Sequence, residues 1–174
     1  MAWRKTFLVL ALTGIITAFI FLAKSVLSTD PARLEAYHLG GEFLGREGVR
    51  MQCREYECGV AALLMVYDHF GIASTPHELT SNLRCGVNGT SMLSLQREAE
   101  KRGLDAAGWR LSFAELAHQR FPAILFVHHD HFIVADSIVG DAAYVRDPAV
   151  GRMRIPQRKL LRIWGGEALL FGNR

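Results

Sequence analysis

The sequence is short of several features that would assign its class at once. No dense stripe of Lys or Arg runs through it and the formal charge is only +3, so nucleic-acid binding is a weak reading and the charges read as solvated surface. It has no GxxxxGK[ST] loop, so it does not bind ATP by that motif. Cysteine is scarce, three in all: Cys53 and Cys58 form a C-x4-C spacing with no matching second pair, a poor zinc signal. Internal repeats and low-complexity tracts are absent. One long uncharged apolar run is present, and no second of that length follows it.

What is present fits a folded globular chain. Its 174 residues are enough for one domain with a sizeable core, and 50% hydrophobic with 21% charged content is ordinary. Part of the apolar share is local. Thr6 to Ala23 carries no charge and, at about 1.5 Å per residue, covers most of a hydrocarbon core. A secretory signal has a shorter centre and a small-x-small cleavage site, for which Val26-Leu27-Ser28 is poor. Residues 1–28 are therefore expected to be an uncleaved membrane anchor, with a signal sequence as the alternative. Arg4 and Lys5 before the run point to a cytoplasmic N-terminus and an extracytoplasmic body on a bacterial inner membrane, although Lys24 and Arg33 on the other flank weaken that vote. Residues 29–47 read as a linker, with Pro31 suited to the first turn of a short helix and a Gly40-Gly41 pair. Residues 48–174 read as the folded domain.

Within that domain, Val60, Leu63, Leu64, Tyr67 and Phe70 follow a helical period from Cys58, and Gly71 stops it. Thr75-Pro76-His77-Glu78 and Ser112-Phe113-Ala114-Glu115 are capping boxes that open further helices, and Ser91 to Arg102 reads as another. Pro122–Val127 and His131–Ile138 read as strands of a hairpin. Ala142–Arg146, Arg152–Ile155 and Glu167–Phe171 read as strands too, with a helix over Gln157–Trp164. Helices first and an antiparallel sheet after them is an α+β layout.

The chemistry centres on Cys58. At the first turn of an apolar helix, unpaired N–H groups and the helix dipole favour a thiolate, the nucleophilic form. Taken alone, Cys58 is as well explained as a small core residue. A nucleophile needs a base and the base an orienting partner. His131 begins one strand, and Asp147 ends the next, so the two can meet at one end of the sheet. Gln52, six residues before Cys58, can aim an amide N–H at a developing oxyanion; alone it reads as a loop residue. The order Cys, His, Asp is a papain-like logic, recognised by role and geometry. His128, His129, Asp130 and His131 form a crowded "HHDH" run, and no metal or cofactor is expected there.

Together these pieces resemble the bacteriocin-processing, double-glycine-leader cysteine peptidases of the papain-like group. The resemblance rests on Gln52 at minus six, on Glu57-Cys58-Gly59 opening "VAALLMVYDHFG", on His131-Phe132-Ile133-Val134, and on Asp147-Pro148-Ala149-Val150-Gly151. It covers about residues 48–171. It implies a papain-like fold and a thiol endopeptidase with Cys58, His131, Asp147 and Gln52 as its site, acting on a peptide or protein precursor cut after Gly-Gly. It implies no cofactor. The family's well-known members are fused to an ABC exporter. This chain, with its own apolar anchor, is expected to be a stand-alone relative beside a separate secretion or export machine, with no nucleic-acid or ATP partner. A non-enzymatic leader-binding module and a transglutaminase-like acyl transferase stay open as alternatives, as does a Cys53–Cys85 bridge against free thiols.

Overall fold

The computed structural model describes residues 30–173. The expected anchor lies outside the described residues; among those described, no helix is long and apolar enough to cross a membrane. The elements run in the order α1 (Pro31–His38), β1 (Glu42–Gly45), a 3-10 turn (Glu55–Glu57), α2 (Cys58–Phe70), α3 (Pro76–Asn82), α4 (Met92–Lys101), β2 (Leu104–Arg110), α5 (Phe113–Ala117), β3 (Ala123–Val127), β4 (His131–Val139), β5 (Ala142–Asp147), β6 (Gly151–Pro156), α6 (Gln157–Ile163) and β7 (Trp164–Asn173).

The helices start where short polar side chains take up their free N–H groups. Thr75 accepts from the Glu78 N–H, Ser91 from Ser94, and Ser112 forms a full capping box with Glu115. The seven strands form one sheet in the order β1-β6-β5-β4-β3-β7-β2. Every pairing is antiparallel. This is the expected α+β class, with a larger sheet than the sequence pattern indicates.

Both faces of the sheet are covered, which explains the unbroken apolar runs in β3 and β4. Side chains alternate across a strand. Ile124, Phe132 and Val134 join the core beneath α2 and α4, whereas Leu125, Val127, Ile133 and Ala135 join a second core with α1 and α6 on the other side. Helix α2 is buried all round from Cys58 to Tyr67, not along one stripe. It lies between β4 and the helices α3 and α4.

The stretch expected as a linker is folded. Asp30 accepts the Ala32 N–H at 3.0 Å and starts α1. Ala32 and Ala36 are buried in the second core, and β1 extends the sheet beyond β6. Beyond Pro31 as the start of a short helix, little in the sequence signals this, because α1 has little hydrophobic asymmetry and, among its described side chains, buries only Ala32 and Ala36, while β1 is a four-residue edge strand.

Candidate active site

Three elements deliver the central residues to one end of the sheet. Cys58 is the first residue of α2 and is 5% exposed. Its neighbour Gly59 is required by close approach: a Cβ there would lie 2.5 Å from Thr90 Cγ2 and 3.3 Å from Phe132 Cδ2. Glycine lets the first turn of α2 sit this close to the Thr90 loop and to Phe132 of β4. His131 starts β4 and Asp147 ends the neighbouring antiparallel strand β5. The pairing places their side chains together, with His131 Nε2 2.9 Å from Asp147 Oδ1.

Asp147 is 3% exposed, and its Oδ1 also accepts the Ala149 N–H at 2.8 Å. The turn that follows is closed by Val150 N–H to the Asp147 carbonyl, and Gly151 takes φ 132° under the Gly45 carbonyl. With Nε2 engaged by Asp147, the other ring nitrogen of His131 is the one left for the Cys58 sulfur.

The electrostatics follow from this contact. Burial pushes the Cys58 thiol up. The hydrogen bond from His131, the Phe132 N–H, the His131 charge and the Gly59 N–H more than offset it and hold the thiol below its ordinary value. Burial likewise pulls His131 down, but the hydrogen bonds to Asp147 and Cys58 and their charges raise it to about 10. The two shifts favour a thiolate beside an imidazolium, a pair stabilised by the third group, Asp147.

Gln52 lies on the segment before α2, and that segment is tied down at several points. Arg50 makes two bonds of 2.7 Å to Asp68, the Gln52 N–H donates to the Pro148 carbonyl at 3.0 Å, and Arg146 donates to the Gly48 carbonyl at 3.1 Å. Gln52 Nε2 donates to the Glu55 carbonyl at 3.4 Å, while Oε1 is buried without a partner. Turning the amide over would set oxygen against oxygen, so the Glu55 carbonyl fixes an N–H-bearing end toward the 3-10 turn.

The site opens into a two-part cleft. One part, of about 640 Å³, is lined by Gln52, His131 and Asp147 with apolar residues of β3, β4 and β6. The other, of about 410 Å³, is lined by Cys58, Asn88, Thr90 and Phe132. Glu55 and Asp130 line both, so they stand where the two meet. Sequence reading missed Glu55 altogether and weighed Asp130 only as part of the "HHDH" run. The Gly59 N–H at the sulfur is one of the free first-turn donors the sequence leads one to expect, whereas the Phe132 N–H, contributed by β4, has no side-chain signature. His128 and His129 occupy the hairpin turn, both at positive φ (54° and 65°).

The three cysteines are free. Cys85 Sγ donates to the Tyr56 carbonyl at 3.2 Å, and Cys53 is exposed, so the bridge left open between them is not formed.

A cysteine at a helix mouth, facing a histidine held by a buried aspartate on an antiparallel sheet, is the arrangement a papain-like cysteine peptidase calls for. The family comparison agrees: the peptidase C39 profile matches residues 46–174, and the chain belongs to that family. Among curated relatives, the lactococcin-G-processing and transport ATP-binding protein LagD of Lactococcus lactis is 28% identical over 67% of this chain and 17% of its own length. The probable functional amyloid protease FapD of Pseudomonas aeruginosa is 28% identical over 66% of this chain and 56% of its own length. The chain thus spans a minor part of the first and about half of the second. A solved double glycine motif protease from an AMS/PCAT transporter, in complex with the leader peptide, superposes with a TM-score of 0.70 at 30% identity, covering 72% of this chain and 91% of that one.

Proposed function

We propose that this chain is a cysteine endopeptidase that cuts peptide or protein precursors after a Gly-Gly leader motif. In this reading Cys58 is the nucleophile, His131 the acid–base group, Asp147 its orienting partner and Gln52 an oxyanion donor. The observation that carries it is the His131–Asp147 bond of 2.9 Å closing on a thiol that is lowered at the start of α2.

The Cys58 thiolate attacks the scissile carbonyl carbon and a C–S bond forms. The oxygen becomes an anion, met by the Cys58 N–H, which has no partner within the helix, and by a Gln52 Nε2 hydrogen. His131 gives its proton to the leaving amine as the C–N bond breaks. It then takes a proton from water, which attacks the thioester and frees Cys58. Asp147 keeps the ring in one orientation through both steps. Glycine before the cut suits a narrow approach to the sulfur, where a side chain would obstruct the attack.

The apolar run after Arg4 and Lys5 adds a membrane tether with the peptidase outside the cytoplasm, serving a separate export machine. Protease accessibility of the domain in spheroplasts tests that placement; protection in intact spheroplasts contradicts it.

The activity test is mass spectrometry of a synthetic leader peptide incubated with the chain. A product ending in Gly-Gly, absent with Cys58→Ala, is expected. Cleavage by Cys58→Ala at the wild-type rate refutes the mechanism, and capture of an added amine in place of water marks acyl transfer instead.

A further inference from the structure

We propose that α1 is a wall of the substrate cleft and that its Glu35, together with Glu55 and Asp130, selects substrates carrying a basic side chain close to the cut. This rests on the peptidase reading above and adds a substrate class to it.

The first observation is position. Helix α1 and strand β1 precede residue 46, where the family match begins. They are nonetheless part of the body. Ala32 and Ala36 pack in the same core as Val150, Met153 and Ile155, β1 pairs with β6, and Asp30 bonds to Arg46 at 3.1 Å. So held, α1 places Glu35, and Leu39 in the turn just after it, on the lining of the part of the cleft that contains Gln52, His131 and Asp147. A segment outside the shared domain therefore borders the space a substrate must occupy.

The second observation is charge. The chain has 20 Lys and Arg against 17 Asp and Glu, yet among the described residues neither part of the cleft is lined by a Lys or Arg. Several acidic side chains elsewhere are matched with basic ones, Asp68 with Arg50, Glu78 with Arg102, Asp136 with Arg146 and Glu167 with Arg110, while others such as Glu47 stand singly on the exposed surface. Glu35, Glu55 and Asp130 have no ion-pair partner among the described residues, and all three border the part of the cleft that holds Gln52, His131 and Asp147. Like charges converging on one concavity repel each other and concentrate a negative potential there. A cation on the substrate relieves both. Lysine suits this site, because its methylene stem can lie on the apolar lining of Val127, Ile133 and Met153 while the ammonium reaches the carboxylates at the rim.

The test uses the full chain and two fluorogenic peptide series built around Gly-Gly. In one a single Lys is moved through the positions on either side of the cut, and in the other a Glu. Each exposed pair contributes only a few-fold, and attraction is set against repulsion, so about a tenfold preference in kcat/KM for Lys over Glu is expected at the best position. The preference should shrink in 0.5 M salt. Glu35→Lys should cut it at least by half at the positions that lie against α1. Glu47→Lys, which makes the same change in net charge on an exposed residue away from the cleft, should leave it intact.

Equal rates for the two series overturn the charge selection. An undiminished preference in Glu35→Lys overturns the role of α1, and equal effects of Glu35→Lys and Glu47→Lys reduce the effect to bulk charge and overturn it as well. If wild type cuts no member of either series while Cys58 still alkylates rapidly, the peptidase reading itself fails and the selection falls with it.

Discussion

Asp147→Asn separates charge from geometry at the site. Both contacts of this carboxylate, to His131 Nε2 and to the Ala149 N–H, are made by Oδ1. An asparagine can present its own carbonyl oxygen to the same two donors, so the change removes the negative charge and keeps the acceptor. A hydrogen bond to a charged group contributes about 1.5–3 kcal/mol and a neutral one about 0.5–1.5, a difference of about 1–1.5 kcal/mol, or roughly one pKa unit.

The sign follows from what Asp147 does to the imidazolium. It raises His131, so its loss lets the proton leave at lower pH. The alkaline limb of kcat/KM, set in wild type by a group near 10, should move acidward by about one unit. A less cationic His131 stabilises the Cys58 thiolate less, so the acid limb should move up and the active window narrow from both sides. Mid-window activity should fall about tenfold. The assay is kcat/KM against pH for a Gly-Gly peptide, paired with the rate of Cys58 alkylation by iodoacetamide across the same range, which needs no substrate. If both profiles of Asp147→Asn coincide with wild type, Asp147 does not tune the pair.

Gln52→Ala should lower kcat by about 10²–10³ with KM little changed, because an oxyanion donor acts in the transition state; a change confined to KM contradicts that role. Gly59→Ala pushes a methyl against Thr90 and Phe132 and should destabilise the fold by about 1–3 kcal/mol, read as a lower Tm, with loss of activity as α2 is displaced from His131. Tyr67→Phe removes the buried hydroxyl that donates to the Glu98 carbonyl at 3.2 Å and should cost about 0.5–1.5 kcal/mol in denaturant unfolding. Its peptidase activity should match wild type. Thiol titration of denatured protein should count three free thiols; a count of one would indicate a Cys53–Cys85 bridge.

The sequence by itself determined the elements whose signals are local. The helix from Cys58 to Phe70 is written in its apolar period and its terminal Gly71. The caps at Thr75, Ser91 and Ser112 stand where polar side chains meet free N–H groups. The hairpin of β3 and β4 follows from two apolar runs separated by three residues, and the pairing of His131 with Asp147 follows from consecutive antiparallel strands that start and end at the same side of the sheet.

The tertiary structure decided everything that depends on non-local contact. Strand β2 has no alternating run of large apolar residues, its Trp109 being exposed, and it exists because it pairs along its whole length with β7, about sixty residues later. Strand β1 and helix α1 exist because β6 offers an edge and the second core accepts two alanines. The Phe132 N–H at the Cys58 sulfur, the clamps that hold Gln52 and the meeting of Glu35, Glu55 and Asp130 around one cleft are likewise set by the packing of distant segments. Backbone donors and cavity walls have no residue code of their own; they come into being when chain segments far apart in sequence are brought together by the burial of the two cores.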